Sequence, residues 1–265
     1  MFPTLLVLLS VATFGCALHL PVDPEFLLKK GSINNRIVGG EDTPIEAIPW
    51  QVSVQIEGSH HCGGVIYSKN IIITAAHCFF DDNGNILDIE IFDVRVGSST
   101  SNNGGWVIKV DKRIVHDRYS PYPTEYDIAL ILLSSPLKMG PAVKVIPLAE
   151  SVPNIGAAVL VSGWGYTETG EAPVHLKSVY VNIVNREECA RIDGVLIDAT
   201  ICAGSPWKDS CSGDSGGPLT YRGKLVGIVS FGSENCGTPG QPAVYTDVVE
   251  FRKWIEGEAT KLSLN

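Results

Sequence analysis

The stretch Lys208–Pro218 reads KDSCSGDSGGP and places Ser215 between an aspartate and two glycines. Glycine adopts backbone conformations that other residues avoid, so a ligand can come close to the main-chain N–H groups of such a loop. A serine hydroxyl there is a weak nucleophile until a base removes its proton. A bare GxSG is usually an ordinary Gly-rich turn, but six fixed positions with Cys211 upstream are much harder to obtain by chance. The loop therefore predicts a reactive serine, for which the chain must also supply a histidine and a group that orients it.

Length and charge set the broad class of protein. The chain has 265 residues, of which 45 % are hydrophobic, enough for a sizeable core in one or two domains. The net charge of −9 argues against nucleic acid or an anionic membrane surface as a partner, and it mildly favours cationic ligands. Plain solubility is the simpler explanation of the global charge.

The N-terminus predicts a secretion signal. Residues 4–18 form an apolar run that is too short to span a bilayer comfortably, and its small residues favour cleavage after Ala17. A buried core segment is the alternative, and the proline-containing sequence that follows argues against it. We therefore expect a signal peptide at 1–17 and a secreted, extracellular protein without a membrane anchor.

Six of the seven cysteines remain once Cys16 has left with the signal peptide. They are Cys62, Cys78, Cys189, Cys202, Cys211 and Cys236. An even number in a secreted chain implies disulfides, although counting alone leaves fifteen connectivities open. No CxxC pair or Cys/His spacing indicates zinc, so we expect no metal and no cofactor.

Short β-type runs separated by turn residues fill most of the remaining chain. The runs are Gln51–Ile56, Ile71–Ala75, Asp93–Val96, Val107–Val115, Ile128–Leu133, Ala157–Ser162, Val179–Val184 and Leu225–Phe231. Several short strands at this spacing predict an all-β sandwich or barrel. Residues 134–153 carry four prolines and predict the crossing between two halves. The one good helical pattern is C-terminal, where Val248, Phe251, Ile255 and Leu262 fall on one face.

The loop Phe79–Asp93 carries five acidic residues around an Asn-Gly-Asn sequence. Their spacing does not fit an EF-hand. A solvated acidic loop is therefore a better interpretation than a metal site.

Two further segments contain the partners that Ser215 needs. Residues 74–78 read TAAHC and place His77 at the end of a β-type run, beside a cysteine. Asp127 stands just before another apolar run. A lone histidine or a strand-initiating aspartate is usually structural, but together with Ser215 they supply a nucleophile, a base and an orienting acid.

These motifs make the chain resemble the trypsin-like serine endopeptidases of the chymotrypsin family, from residue 37 through the final helix. The motifs, in family order, are IVGG at 37–40, TAAHC at 74–78, DIAL at 127–130, SGWG at 162–165 and GDSGGP at 213–218. The resemblance implies an all-β fold of two packed six-stranded antiparallel β-barrels with a C-terminal α-helix. We expect a peptidase domain at 37–265, with the N-terminal barrel at about 37–135, the C-terminal barrel at about 136–247 and the helix at about 248–262.

The resemblance also assigns roles to the matching residues. It implies that Ser215 is the nucleophile, that His77 takes its proton and later gives it to the leaving amine, and that Asp127 fixes the histidine tautomer. The backbone N–H groups of Gly213 and Ser215 would form the oxyanion hole, worth roughly 3 kcal/mol per donor in comparable enzymes.

The disulfides of the family fall on the six remaining cysteines. The implied pairs are Cys62–Cys78, Cys189–Cys202 and Cys211–Cys236. The first and third would hold the loops of His77 and Ser215, and each bond is worth about 3 kcal/mol from loop-closure entropy.

Residues 18–36 are polar and end at Arg36. From the residues alone, Arg36 is either a processing site or the incidental end of a linker, and Lys29-Lys30 is a rival cut site. The resemblance favours cleavage after Arg36, which makes 18–36 an activation propeptide removed by another protease or by the enzyme itself.

Cleavage after Arg36 would free the amino group of Ile37, which in the family folds inward and pairs with Asp214. A buried ion pair is a poor source of stability, so its use here would be as a switch. His60 matches the histidine that can hold this aspartate in the precursor of family members, or it is an ordinary exposed residue.

Asp209 lies six residues before Ser215, where trypsin-like members place the acid at the base of the primary pocket. A carboxylate buried there would prefer Arg or Lys before the scissile bond, through charge-assisted hydrogen bonds. The alternative is a surface acid beside Lys208. The other pocket residues that the resemblance implies are Ser210 at the base and Ser230, Phe231 and Gly232 along the wall, where they also bind substrate backbone.

Some positions depart from the family pattern. Phe231 stands where tryptophan is usual, which leaves an apolar wall without an indole N–H. Ala243 stands where trypsins keep glycine, and its methyl group narrows the pocket, so we hypothesise a preference for Arg over Lys. The family's calcium loop falls at Gly97–Trp106, which contains no carboxylate, so we expect no calcium site. The long loop Phe79–Asp93 borders the cleft, where we expect it to select basic residues on the leaving side.

The preferred hypothesis is a secreted serine endopeptidase, made as a zymogen, that cleaves after Arg or Lys. A narrow-pocket, elastase-like protease is the alternative if Ala243 blocks Asp209. A non-catalytic homologue that acts as a binding module is a further alternative, but such proteins usually lack a triad residue and none is missing here. The expected partners are protein or peptide substrates, an activating protease and protein protease inhibitors. We expect a monomer that binds neither nucleic acid nor membrane. Activity should fall as His77 protonates, near pH of about 6.5 unless the site shifts its pKa.

Overall fold

The computed structural model describes residues 37–122, 124–167, 169–193, 199–233 and 235–264. The predicted signal peptide, the propeptide and Arg36 lie outside these residues. The described parts of the chain form fifteen strands and two α-helices. No helix among them is long and apolar enough to cross a membrane.

Most of the strands are short, as the sequence pattern predicts. In chain order they are β1 (Glu41–Asp42), β2 (Gln51–Ile56), β3 (Ser59–Ile66), β4 (Ile71–Thr74), β5 (Phe92–Val96), β6 (Trp106–Val115), β7 (Ser120–Pro121), β8 (Thr124–Glu125), β9 (Ala129–Leu133), β10 (Ala158–Gly163), β11 (Lys177–Ile183), β12 (Thr200–Gly204), β13 (Pro218–Tyr221), β14 (Lys224–Phe231) and β15 (Ala243–Asp247). The helices are α1 (Arg186–Asp193) and α2 (Val248–Leu264).

The first barrel closes in the order β2-β3-β4-β9-β6-β5. Strands β4 and β9 run antiparallel, with Thr74 opposite Ala129, so the end of β4 lies beside the start of β9. His77 follows β4 by three residues and Asp127 precedes β9 by two. The sheet therefore brings a histidine and a carboxylate that are far apart in sequence to the same edge of the barrel.

The second barrel is a ring of six strands in the order β11-β10-β13-β14-β15-β12. The ring closes where β12 pairs with β11, with Ile183 opposite Ala203. Ser215 lies in the loop just before β13. Two six-stranded antiparallel barrels and a C-terminal helix confirm the fold that the resemblance implies.

Each end of the described chain packs on the barrel that is more distant in sequence. Strand β1 pairs with β11, and Asp42 forms an ion pair with the buried Lys177 of that strand. Ile37 is fully buried in the core of the second barrel. At the other end, Phe251 and Ile255 of α2 join a core cluster made mostly of first-barrel residues, which also includes Leu225 and Ile228 of β14. Burying one large apolar side chain is worth about 1.5–3 kcal/mol, so both crossings hold the barrels together.

The structure adds one helix, α1, that the sequence pattern did not indicate. Its sequence, REECARID, contains few apolar residues and therefore no visible apolar stripe. Strands β3, β12, β13 and β15 also escape the period-2 pattern. Gly63-Gly64 weakens the strand signal of β3, and the other three strands have only four or five residues.

Candidate active site

His77 and Asp127 meet at the edge of the first barrel. His77 Nδ1 lies 2.8 Å from Asp127 Oδ2, and the His77 backbone N–H donates to Oδ1 at 2.9 Å. An ionised carboxylate only accepts hydrogen bonds, so Nδ1 carries the proton and Nε2 is free to accept one. That tautomer is the one that a general base requires.

Two residues of the second barrel hold Asp127 from the other side. Ser230 Oγ donates to Asp127 Oδ2 at 2.5 Å, and Thr246 Oγ1 donates to the Asp127 carbonyl at 2.7 Å. Asp127 is only 2 % exposed. Sequence reasoning missed Thr246 and this second contact of Ser230, because both residues lie in ordinary strands with no motif that points to Asp127.

The electrostatics of this pair favour its charged form. Burial lowers the pKa of His77, but the charge of Asp127 and the hydrogen bond to it have the larger effect, so the pKa lies above its ordinary value of about 6.5. Burial raises the pKa of Asp127, but the attraction of His77 and the hydrogen bonds from His77 and Ser230 have the larger combined effect. The pKa of Asp127 therefore lies below its ordinary value. Asp127 is therefore ionised at neutral pH.

Ser215 lines the same cleft as His77, a space of about 550 Å³ that Ser230 and Phe231 also border. Among the described residues, no hydrogen bond joins the Ser215 hydroxyl to His77. Catalytic hydrogen bonds are often long in the absence of substrate and tighten when it binds. The Ser215 carbonyl accepts the Gly63 N–H at 2.7 Å, which ties the serine loop to the first barrel.

Glycines shape the loop around Ser215. Gly213 has a φ of 95° and Gly216 a φ of 79°, both in the left-handed region that favours glycine. A side chain on Gly216 would collide with Thr74, so the loop reaches the first barrel only without one. The backbone N–H groups of Gly213 and Ser215 donate no hydrogen bond within the described chain. Two such donors beside a nucleophile are suited to stabilising an oxyanion.

His60 holds the carbonyl group of Gly213. Its Nε2 donates to Gly213 O at 2.9 Å, and its Nδ1 accepts from Ser53 Oγ at 2.8 Å. Burial lowers the pKa of His60 to about 4, against the opposite effect of the bond to Gly213, so the ring is neutral at physiological pH. The expectation that His60 holds Asp214 is therefore wrong for this structure, and the partly buried ring is not an ordinary exposed residue either.

Asp214 is fully buried beneath the serine loop. Its Oδ1 accepts the Gly165 N–H at 2.7 Å, and its Oδ2 accepts the Cys211 N–H at 2.9 Å. Burial raises the pKa of Asp214 to about 6, although these two bonds lower it. Side chains on Gly163 or Gly165 would collide with the carboxylate, which explains both glycines of the SGWG motif. Within the described ranges, Asp214 forms no ion pair and no hydrogen bond with Ile37.

The six cysteines form three disulfides, which are the pairs that the resemblance implies: Cys62–Cys78, Cys189–Cys202 and Cys211–Cys236. The first joins β3 to the turn of His77, and the third anchors the loop of Ser215. Ligand atoms of Cys62, Cys78 and His77 lie within 4.8 Å of one another. Both sulfurs are bonded to each other, so neither can act as a thiolate ligand and this group does not hold a metal.

Asp209 precedes Ser210, which lines a second cavity of about 260 Å³ that also adjoins Ser215. The carboxylate does not itself line the cavity, is 2 % exposed, and accepts the N–H groups of Ser210 at 2.9 Å and Gly237 at 3.3 Å. Burial raises the pKa of Asp209 to about 7, the two hydrogen bonds oppose this shift, and the charge of Asp214 adds to it. Asp209 is therefore not the surface acid of the alternative interpretation.

The walls of the second cavity contain the other pocket residues named from the sequence: Ser210, Ser230, Phe231, Gly232 and Ala243. A side chain on Gly232 would lie 3.4 Å from the Ala243 methyl carbon, so these two residues face each other closely. Ser210 Oγ and Tyr245 Oη share a hydrogen bond of 3.2 Å below the wall.

Two loops outside the triad have their own internal contacts. Asp81 and Asp82 of the loop Phe79–Asp93 line the main cleft, and Asp81 accepts two backbone N–H groups within the loop. The loop Gly97–Trp106 is held by Arg95 of β5, which donates to the Gly104 carbonyl at 2.6 Å. The expected lack of a calcium site there stays a prediction.

Comparisons with known proteins agree with this geometry. Residues 37–255 match the sequence profile of the trypsin family. The chain is 42 % identical over 257 residues to trypsin alpha-4 of Lucilia cuprina, a match that covers 95 % of this chain and 97 % of that protein. It is 46 % identical over 233 residues to hypodermin-B of Hypoderma lineatum, which covers 86 % and 89 % of the two chains. The fold is similar to that of neuropsin, a serine protease expressed in the limbic system of mouse brain, with a TM-score of 0.76, 32 % identity, and coverage of 83 % of this chain and 98 % of the other.

Fold and relatives together define a trypsin-like serine endopeptidase, a hydrolase that acts on protein substrates. The chain belongs to the trypsin family.

Proposed function

We propose that the chain is a secreted zymogen whose mature form cleaves peptide bonds after Arg or Lys. One observation carries this proposal: Ser215 and His77, whose ring is hydrogen-bonded to the buried Asp127, line one cleft, and a second cavity beside Ser215 is lined by Ser210, whose N–H binds the Asp209 carboxylate. A nucleophile, an oriented base and a buried carboxylate thus lie together, although three distant segments supply them.

In the proposed reaction, the Ser215 hydroxyl attacks the scissile carbonyl carbon while His77 Nε2 takes its proton. Substrate binding closes the hydrogen bond between these two residues. The carbonyl oxygen becomes an anion and accepts hydrogen bonds from the N–H groups of Gly213 and Ser215. His77 gives its proton to the leaving amine, and an ester on Ser215 remains. Water then attacks the ester, again with His77 as base, and frees the serine.

The Asp209 carboxylate, bonded to the N–H of the lining residue Ser210, favours a cationic side chain in this cavity. Because the pKa of Asp209 is about 7, its carboxylate is largely ionised above neutral pH and lacks a counter-ion within the described residues. A guanidinium or ammonium would supply that charge. The Ala243 methyl narrows the cavity, and a planar guanidinium that reaches Asp209 with two donors suits a narrow slot better than an ammonium. We therefore propose a preference for Arg over Lys.

One observation favours a second candidate function. Asp209 is absent from the cavity walls, which are formed by uncharged residues that include Ala243 and Phe231. If no substrate cation reaches Asp209, the enzyme would cleave after small apolar residues instead.

The proposed zymogen mechanism is supported by Asp214. Its buried carboxylate has a raised pKa and forms no ion pair in the described chain. Cleavage after Arg36 would create an ammonium group on Ile37, a residue that is buried in the same barrel. The new ion pair would stabilise the charged form of Asp214 and with it the loop that carries Gly213 and Ser215.

Secretion is supported by two features. The sequence predicts a signal peptide at 1–17, and three disulfides are typical of proteins that fold in an oxidising compartment.

A serine-directed phosphonylating reagent tests the core of the proposal. After cleavage at Arg36, mass spectrometry should find the adduct on Ser215, and Ser215→Ala should neither react nor hydrolyse peptides. Ser151→Ala, at an exposed position, is the matched control and should behave as wild type. Hydrolysis by the Ser215→Ala protein would rule out the triad assignment.

Specificity and self-activation need two further measurements. A panel of chromogenic peptides with Arg, Lys or Ala before the scissile bond should give the highest kcat/KM for Arg, whereas a preference for Ala would favour the narrow-pocket candidate. Incubation of pure precursor alone, with Ser215→Ala precursor as control, shows whether the enzyme cuts itself after Arg36.

A further inference from the structure

Tyr126, the residue directly before Asp127, has a strained backbone. Its φ is 53°, in the left-handed region that a bulky side chain rarely occupies. The Ile128 N–H donates to the Tyr126 carbonyl at 2.8 Å, so a tight turn encloses Asp127. The backbone of Tyr126 therefore fixes the direction in which the Asp127 carboxylate leaves the chain.

The Tyr126 ring is held on several sides. The ring of His116 is stacked on it, with 5.1 Å between centroids and an interplanar angle of 19°. Phe251 meets it edge-on at 5.9 Å, and the Arg118 guanidinium lies 4.1 Å from its centroid. We call Tyr126, His116, Phe251 and Arg118 the aromatic bracket.

The aromatic bracket joins three parts of the fold at the turn of Asp127. The His116 backbone N–H, just after β6, donates to the Ile128 carbonyl at 3.1 Å. Phe251 belongs to α2, and His116 also contacts Trp254 of that helix at 4.9 Å between centroids. The turn is therefore supported by the end of one barrel strand and by the C-terminal helix.

Ordinary core packing is the alternative explanation of the bracket. A packed aromatic residue does not need a left-handed backbone, and Gly, Asn or Asp adopts that conformation far more readily. A bulky residue keeps such a conformation only where its surroundings hold it, and such positions cluster at functional sites. The Tyr126 hydroxyl makes no hydrogen bond to any described residue, so the contacts of the ring are what hold it.

We infer that Tyr126 is a positioning residue, whose ring, held in the aromatic bracket, keeps the backbone conformation that aims Asp127 at His77. The inference rests on the proposed triad and gives Tyr126 no contact with substrate. A looser bracket would lengthen the 2.8 Å contact between Asp127 and His77, which orients the imidazole and stabilises its charged form.

The test compares Tyr126→Phe, Tyr126→Ala and Tyr126→Gly in the activated enzyme. Titration with the phosphonylating reagent counts the working sites, so a fraction of unfolded protein does not lower the measured kcat. We expect Tyr126→Phe to match wild type because the ring remains. In the Ala and Gly variants kcat should fall roughly 10- to 100-fold, the effect of a small misplacement of a catalytic group, while KM changes less than about twofold.

The pH profile separates positioning from mere stability. Contact with Asp127 raises the pKa of His77, so a weaker contact raises it less and the acidic limb of kcat/KM should move to lower pH in the Ala and Gly variants. A purely structural role for Tyr126 would reduce the number of working sites and leave this limb in place.

The glycine variant separates the ring from backbone strain. Glycine adopts a φ of 53° without strain, so wild-type kcat and an unshifted acidic limb in Tyr126→Gly would overturn the inference. Wild-type values in Tyr126→Ala would overturn it too. If neither variant folds, Phe251→Leu removes the edge contact and keeps apolar bulk. A shift of the acidic limb of kcat/KM to lower pH in this variant supports the inference, and an unshifted limb overturns it.

Failure of the proposed function is distinguishable from failure of this inference. Wild-type enzyme that does not react at Ser215 would refute the triad and the role of Tyr126 together. Reactive wild-type enzyme with unaltered Tyr126 variants would refute the bracket alone.

Discussion

The two barrels contribute unlike halves of the candidate active site. The first supplies His77 and Asp127, which are hydrogen-bonded to each other, and Asp127 also accepts hydrogen bonds from Ser230 and Thr246 of the second barrel. The second supplies the loop 209–215, whose two buried carboxylates, Asp209 and Asp214, have raised pKa values. Neither carboxylate forms an ion pair within the described residues.

The difference between the halves indicates where control can act. A buried carboxylate without a counter-ion is costly, so the loop 209–215 should respond strongly to a cation placed beside it. The Asp127 carboxylate already has its hydrogen-bond partners and should respond little to such a cation. In the proposed function, the N-terminal ammonium and the substrate cation are the two charges that complete the second half.

The largest effect on activity should come from a substitution in the pair His77–Asp127. Asp127→Asn removes the charge that orients and stabilises His77, and kcat should fall roughly 10⁴-fold, as the equivalent substitution does in a related endopeptidase. KM should change little, because Asp127 is buried and does not line the cavity beside Ser210. Steady-state kinetics on an Arg peptide measures this. Asp111→Asn, on an exposed part of β6, is the control, and a loss below tenfold in Asp127→Asn would contradict the assigned role.

The next effect should come from removing one unpaired carboxylate of the other half. Asp209→Ser should cost roughly 2–5 kcal/mol in kcat/KM for an Arg substrate, the range for truncating one partner of a buried charge pair. An Ala substrate should be affected far less. Asp111→Ser is the control for charge removal at a distance. Unchanged turnover of the Arg substrate would show that no substrate cation reaches Asp209.

The raised pKa of Asp209 predicts pH-dependent binding of cations. The protonated carboxyl group does not attract a cation, so the affinity for the amidinium probe benzamidine should be constant above a pH of about 7 and fall as pH drops below it. The slope should approach about tenfold per pH unit, because one proton competes with the ligand. Titration calorimetry at several pH values measures both affinity and proton release. An affinity that stays constant from about pH 5 to about pH 8 would show that the pKa of Asp209 lies outside this range.

The smallest effect should come from the pocket wall. Ala243→Gly removes a methyl group that faces Gly232, so the ratio of kcat/KM for Arg over Lys should fall by about 1 kcal/mol, the lower end for one methyl-sized change in a pocket. Ala172→Gly, in an exposed loop, should leave the ratio unchanged. A ratio that rises in Ala243→Gly would mean that the methyl group does not disfavour Lys.

The sequence indicated the candidate triad but not the residues that support it. Ser215, His77 and Asp127 each lie in a short motif, because a glycine-rich loop or a strand end must be built locally. Ser53 and Thr246 could not be found in this way, since their partners lie far along the chain and only the closed barrels bring them together.

The contacts of His60 and Tyr126 illustrate a second limit. The sequence indicated that His60 matters, but whether it bonds to Asp214 or to Gly213 depends on which group the folded loop presents to it. Nothing in the sequence around Tyr126 predicts a left-handed backbone, because the contacts that hold its ring come from α2 and from the residues after β6. The assigned catalytic roles themselves remain predictions until the variants are measured.

The exchange of chain ends has a consequence for how the molecule comes apart. The segment at Ile37 packs on the second barrel and α2 contacts the first, so each end of the described chain connects the two barrels. A single cleavage in the connection 134–157 would therefore leave two fragments that remain associated without a covalent link between them. Thermal unfolding should involve both barrels in one cooperative transition, because the unfolding of either barrel removes the packing surface of a chain end.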